Sequence, residues 1–265
     1  MSETQTQTEE TEETELGDVR ESEDSRAHQN AKRSGDVHAV GIGPGSSEYV
    51  TLRTKRLIED ADVVAGFTAV VEKIEEHIDG AEVVEMGYED EAEKLEYVAD
   101  LNREGDDVVV CLMGDANFSG YQYLEKVEDA LDADVELVPG ISSAQVAASR
   151  SRTPFEESVF VTLHKTYDEG EIDDDLDVIV DAVTSGRNAI VIPLPYSFMP
   201  EDVAELLIDE GADTDADAYV YEELTMDETS WEGSVEDLSD LEGDEGKGDR
   251  DESAFSDMTI MVVSP

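Results

Sequence analysis

Apolar positions along this chain come in two textures. Short continuous runs rich in Val and Ile occupy 37–42, 62–65, 108–113, 135–138, 159–163 and 189–194, the pattern of strands buried on both faces. Between them the spacing turns helical. Leu52, Arg56, Ile58 and Ala61 follow a candidate N-cap at Thr51, and Leu95, Val98, Ala99 and Leu101 mark a second helix. Leu176, Ile179, Val180 and Val183 form an i, i+3, i+4, i+7 stripe, and Val203, Leu206 and Leu207 precede Gly211, a helix stop. This alternation predicts an α/β protein with parallel or mixed sheets. A final strand is expected over 258–263. The polar stretch Arg150-Ser151-Arg152-Thr153-Pro154 interrupts the pattern and divides an N-terminal α/β domain, 36–152, from a C-terminal one, 153–265.

Two segments lack either texture. Residues 1–35 hold ten acids, four bases, no aromatic, and only Leu16 and Val19 as sizeable aliphatics. Such a segment buries too little surface to offset its ordering entropy, which predicts a disordered acidic tail. Residues 240–253, with Gly243, Gly246, Gly248 and mixed charge, are expected to be an acidic surface loop before the last strand.

Charge sharpens this picture. The 265 residues carry 17 Lys+Arg against 70 Asp+Glu, a net charge of −53, while 39% remain hydrophobic. Since the tail holds only ten of the seventy acids, the acidity belongs to the folded body. An anionic surface stays hydrated in molar salt, where the Debye length falls to roughly 3 Å. We therefore expect a salt-adapted cytoplasmic protein. Duplex nucleic acid and anionic membrane surfaces are disfavoured partners, because phosphate binding needs a basic footprint. No run approaches the ~18 apolar residues of a membrane span, and Met1-Ser2-Glu3-Thr4 opens neither a basic nor an apolar leader region. The single cysteine, Cys111, lies inside the apolar run Val108–Met113, so it is expected to be a buried thiol rather than a nucleophile. It also excludes an internal disulfide or multi-Cys zinc site. No metal site is expected: Asp213-Thr214-Asp215-Ala216-Asp217 begins like an EF-hand loop but has Ala218 and Leu224 at its sixth and twelfth positions.

Candidate chemistry lies in loops that follow strands. Val40-Gly41-Ile42-Gly43-Pro44-Gly45-Ser46 lets the backbone turn sharply and approach a ligand without Cβ interference. A dinucleotide-binding loop, or a turn without any ligand, is an alternative reading. Against the dinucleotide stand Ser46 at the sixth position and Pro44, which lacks an N–H donor. Met113-Gly114-Asp115-Ala116 ends the run at 108–113, and Pro139-Gly140-Ile141-Ser142-Ser143-Ala144-Gln145 ends that at 135–138. Open α/β sheets bind small molecules at such strand ends. Asp115 can accept from an amine. Ser142 and Ser143 can bond polar ligand edges or cap the next helix.

Together and in this order the loops resemble the tetrapyrrole methylase family over roughly residues 37–265. Tyr49-Val50-Thr51-Leu52, Ala61-Asp62-Val63-Val64-Ala65-Gly66 and Ser158-Val159-Phe160-Val161-Thr162-Leu163-His164 add to the match. Within the family the chain is most similar to the enzymes that methylate C5 of cobalt-precorrin-7. The resemblance implies a two-domain α/β fold with the ligand cleft between domains, S-adenosylmethionine as methyl donor and a cobalt-precorrin as substrate. It further implies a homodimer and, as a possible partner, a C15-methylating, decarboxylating enzyme. Carried over residue by residue, Pro44, Met113, Gly114, Asp115, Ala116, Ser142 and Ser143 fall in the donor site. So do Pro193, Leu194, Leu224 and Thr225, although Ile192-Pro193-Leu194-Pro195 departs from the family pattern, as does Ala116 in place of the usual proline. Gly43, Gly45, His164 and Lys165 are expected on the substrate side, the last two because the substrate carries carboxylates and cations are scarce. Arg53 and Arg56 are weaker candidates. No catalytic side chain is expected, since alignment of an activated methyl group with a carbon nucleophile can supply about 7–11 kcal/mol. His77 is expected to be a solvated helix residue.

Overall fold

The computed structural model describes residues 34–118, 121–167, 171–241 and 253–265. Residues 1–33 of the expected tail and 242–252 of the expected loop lie outside them.

The first half is a five-stranded parallel sheet. Its strands are β1 (Val37–Gly41), β2 (Val63–Phe67), β3 (Glu82–Met86), β4 (Val108–Leu112) and β5 (Val135–Val138), in the order β3-β2-β4-β1-β5. The Val-rich composition of β1, β2 and β4 follows from burial on both faces: β4 is buried at every position. Helices α1 (Leu52–Asp60), α2 (Thr68–Val71), α3 (Glu91–Glu104) and α4 (Tyr121–Leu131) connect these strands. As expected, Thr51 caps α1, its hydroxyl accepting from the Thr54 N–H at 3.1 Å. Two apolar cores result, and Cys111 is fully buried between strands with its thiol pushed up to about 12. In a departure from expectation, His77 sits in a short 3₁₀ turn with Nε2 buried and unpartnered.

The second half is a mixed sheet, β6-β7-β10-β8-β9. It comprises β6 (Ser158–Thr162), β7 (Asn188–Ile192), β8 (Asp217–Glu222), β9 (Thr229–Ser234) and β10 (Thr259–Ser264), with α6 (Glu171–Thr184), α7 (Pro200–Asp209) and α8 (Val235–Ser239) around it. Only β6 and β7 run parallel; β10 is antiparallel to both neighbours. The sequence pattern misses β3, β8 and β9. β3 and β8 mix exposed and buried positions and β9 has no buried residue, so none forms a continuous apolar run.

Helix α5 (Ser143–Ser151) joins the halves. Ala144, Val146, Ala147 and Ala148 pack against Ile190 of β7, Tyr221 of β8 and Ile260 and Val262 of β10. The short alanine side chains let the helix approach the sheet closely. The helix ends at Arg152, in the left-handed region at φ 58°, and the second sheet begins at Ser158. The passage from the first sheet to the second runs from Val138 to Ser158 and includes the polar stretch at 150–154. By contacts, however, Ser34–Pro265 is a single compact unit.

Candidate functional site

Parallel strands leave the ends of β1, β4 and β5 on one side of the first sheet, and β1 lies between the other two. Their loops touch through glycine. Gly43 and Gly114 exchange backbone hydrogen bonds at 3.2 and 2.8 Å. A Cβ on Gly41 would stand 2.5 Å from the Gly114 oxygen and 2.6 Å from the Gly140 nitrogen. Any side chain at Gly41 would force the loops apart.

Asp115 fastens them. It is 6% exposed, and its two carboxylate oxygens accept from the backbone N–H groups of Asn117 and Gly140, each at 2.9 Å. Ser142 closes a capping box at the start of α5: its hydroxyl accepts from the Ala144 N–H and Gln145 accepts from its own N–H. Ser142 thus caps the helix, and it also lines the cavity described below.

The second half reaches the same place by antiparallel pairing. Because β10 starts where β7 and β8 end, Ile192, Glu223 and Thr259 meet at one edge of the sheet. Glu223 and Thr225 hold positive φ angles, 47° and 72°. Such backbone strain persists only where surrounding contacts fix it. Those contacts cross between the halves. The Ser46 N–H donates to the Thr225 hydroxyl at 3.1 Å, and Gly45, at φ 143°, leaves room for the Met226 thioether. The Arg150 guanidinium donates twice to Glu228 at 3.0 and 3.2 Å, and that hydrogen-bonded pairing holds the Glu228 carboxyl below its usual range.

The two edges enclose a cavity of about 200 Å³. Pro44, Gly114, Asp115, Ser142, Leu224, Thr259 and Ile260 form a buried floor, while His164, Asp257 and Met258 stand at a solvent-facing rim. Met113, Ser143, Ile192, Glu223 and Met226 complete it. Three thioethers make part of the wall soft and polarizable. Three carboxylates and one histidine supply its ionisable groups, and no Lys or Arg is among the described lining residues. Crowding by protein lowers the His164 pKa, and the charge of Asp257 opposes the shift.

The structure thus gathers Pro44, Met113, Gly114, Asp115, Ser142, Ser143, Leu224 and His164 in one place. Others stand apart. Ala116 packs into the first core. Pro193 and Leu194 lie just beyond Ile192, the residue that reaches the cavity, and Leu194 bridges Phe198. Gly43, Gly45 and Thr225 hold loops together rather than line the space. Lys165 is turned away: its ammonium pairs with Asp175 at 2.6 Å and lies 5.0 Å from the Tyr167 ring centre. Arg53 pairs with Glu136 on the surface. Sequence reasoning misses Glu223, Met226 and 257–260. Glu223 abuts residues singled out for the site, but 257–260 enter it only through the pairing of β8 with β10, which no local motif announces.

Two α/β halves close over a cavity at the ends of parallel strands. The chain belongs to the tetrapyrrole (corrin/porphyrin) methylases, matching that family over residues 36–239. A probable cobalt-precorrin-7 C(5)-methyltransferase of Methanocaldococcus jannaschii is 28% identical over 191 residues, covering 72% of this chain and 85% of that one. A probable cobalt-factor III C(17)-methyltransferase of Methanothermobacter thermautotrophicus is 32% identical over 132 residues. There the match covers 48% of this chain but only 36% of the relative. In fold, the chain superposes on a uroporphyrin-III C-methyl transferase from Thermus thermophilus complexed with S-adenosylhomocysteine. That comparison has a TM-score of 0.60 at 20% identity and covers 87% of this chain and 92% of that one. Among the described residues, no helix is long and apolar enough to cross a membrane.

Proposed function

We propose that the protein transfers a methyl group from S-adenosylmethionine to a ring carbon of a cobalt-precorrin in cobalamin biosynthesis, with C5 as the position methylated. The observation that carries this reading is the charge of the cavity: Asp115, Glu223 and Asp257 line it without a Lys or Arg among its described residues. Such a lining suits a donor bearing an ammonium and a sulfonium. It repels the pyrophosphate of a nicotinamide dinucleotide, for which a loop rich in N–H donors is needed. Leu224, Ile192, Ile260 and the thioethers suit the apolar faces of an adenosyl group, and Ser143 at the start of α5 suits a carboxylate. Bound there, the donor supplies an electrophilic methyl carbon. The protein's own part is to hold it in line with the substrate and exclude water, a role for floor and rim rather than for a general base. Similarity to the archaeal C5 enzyme over most of both chains supports the position. Pro193, Leu194, Ala116 and Thr225 act one layer behind the contacts. His164 and the glycine loop face the substrate.

The surrounding proposals come from composition and membership. The acidity fits a cytoplasm of molar salt, the family resemblance implies a homodimer, and a C15-methylating, decarboxylating enzyme is the natural partner.

Calorimetry in 3 M KCl tests the reading. Saturable binding of S-adenosylmethionine and of S-adenosylhomocysteine, with none of NADH, is the expected outcome; the reverse order of ligands overturns it. NMR of the methylated corrinoid reads the ring position directly.

A further inference from the structure

Two buried glutamates have no part in the donor contacts, yet both hold the same short stretch of chain. Glu201, in the first turn of α7, is 9% exposed and Glu222, the last residue of β8, is 8% exposed. A carboxyl group buried at that depth needs hydrogen-bond partners. Each accepts from a backbone N–H within residues 253–256. One Glu201 oxygen accepts from the Ala254 N–H at 2.6 Å and the Ser253 hydroxyl at 3.1 Å. Its other oxygen is 3.2 Å from the same hydroxyl. One Glu222 oxygen accepts from the Ser256 N–H at 2.8 Å, and the other from the Thr229 hydroxyl at 2.8 Å. Between these points Phe255 is anchored in the second core at 5% exposure.

Directly after the pinned stretch the chain forms the rim of the cavity. Asp257, Met258, Thr259 and Ile260 line it. The Thr259 hydroxyl donates back to the Ser256 carbonyl at 2.7 Å, and the Met258 carbonyl accepts from the Glu223 N–H at 3.0 Å. Asp257 and Met258 are themselves solvent-facing, so they have little packing of their own to fix their place.

We infer that Glu222 and Glu201 are positioning residues of the donor cavity: they clamp 253–256, so that Asp257 and Met258 form its rim. This rests on the proposed methyl donor for its ligand, but the clamp itself is testable without a ligand. Glu222→Ala removes the acceptor for the Ser256 N–H and should speed amide hydrogen exchange over 253–259 while leaving β1 and β4 protected. Unchanged exchange there overturns the clamp, whatever the protein binds.

Calorimetry with S-adenosylmethionine provides the second measurement. With the rim released, Glu222→Ala should weaken donor binding by about tenfold. Glu222→Gln, which keeps an acceptor for Ser256, should restore most of it. A core variant, Leu207→Ala, serves as the stability control: buried in α7 away from the cavity lining, it should lower the melting temperature without moving donor affinity. Wild-type affinity in folded Glu222→Ala, or an equal loss in Leu207→Ala, overturns the positioning role. If Glu222→Ala does not fold, Glu201→Ala carries the same two measurements. A wild-type protein that binds no donor would overturn the assignment of the ligand instead, with the exchange result still deciding the clamp.

Discussion

The two sides of the cavity reach the same precision by different means. On the first side, three strand ends of one parallel sheet deliver loops that touch backbone to backbone at Gly41, Gly114 and Gly140, with Asp115 as the fastener. Little there depends on side-chain packing. On the second side, antiparallel pairing gathers residues as far apart as Ile192 and Ile260, and buried carboxylates and strained turns hold them. A side built from backbone contacts should be brittle toward any added atom. A side built from side-chain acceptors should respond in steps, variant by variant.

The largest effect is expected on the brittle side. A methyl group on Gly140 would overlap the Gly114 carbonyl oxygen, and both atoms belong to backbone that is itself hydrogen-bonded. Gly140→Ala should cost about 3 kcal/mol, the upper end for overpacking, measured by denaturant unfolding in 3 M KCl. Gly186→Ala supplies the contrast: φ there is 81° but nothing lies within 4 Å of the new methyl group. It should cost only the left-handed backbone penalty, about 1–2 kcal/mol. Equal losses at the two glycines would show that the close backbone contact at Gly140 adds nothing to the ordinary cost of a side chain.

Asp115→Ala comes next. From the sequence, Asp115 is a donor-site residue. The structure gives it a second part, because the Asn117 and Gly140 N–H groups would both lose their acceptor. Each orphaned donor costs about 1–3 kcal/mol, with some relief from water at the cavity. The variant should lose stability and donor affinity together. A folded Asp115→Ala protein of wild-type stability but lower affinity would return Asp115 to the role of a simple contact.

The same contrast explains what local sequence could disclose. Continuous Val runs reveal the parallel strands because burial on both faces leaves no polar positions. Loops that follow them carry their glycines in one short window each, so Pro44, Met113–Asp115 and Ser142–Ser143 are legible. β8 and β9 carry polar and half-exposed positions, and 257–260 gain their place through Glu222 pairing with Thr259 across the sheet. Lys165 is drawn toward the site by its neighbour His164, yet its ammonium pairs with Asp175 instead.

A pH experiment probes the link between the sides. Arg150 holds the Glu228 carboxyl below its usual value of 4.5. A depressed carboxyl contributes stability that is complete above the unfolded value and is lost as pH falls through the folded one. Wild type should therefore lose about 1 kcal/mol relative to Glu228→Gln on acidification from above 4.5. The gain is limited because Arg150 is half exposed. Parallel stability curves for the two proteins would show that the bridge between Arg150 and Glu228 contributes nothing to closing the halves.

The smallest effect is expected at Lys165, where it decides most about the substrate. A free lysine at the end of β6 would be a natural guide for a carboxylate-rich macrocycle approaching so acidic a protein. The ammonium is instead occupied by Asp175 at 2.6 Å and by the face of Tyr167, with both members of the ion pair one-quarter exposed. Asp175 also accepts from the Tyr167 hydroxyl at 2.9 Å, so the three side chains form a closed group. Lys165→Ala should then cost no more than about 1 kcal/mol of stability, as partly exposed pairs and cation–π contacts do. Donor affinity should not change, and the Michaelis constant for the corrinoid should move less than about threefold (under about 1 kcal/mol by the tenfold rule). Salt separates the possibilities further: steering by a free charge fades between low and high KCl, whereas a desolvated contact survives. A rise in the Michaelis constant of about tenfold or more that persists in 3 M KCl would mean that Lys165 leaves Asp175 for the substrate. The second side of the cleft would then rearrange on binding, while the glycine-welded first side stays fixed.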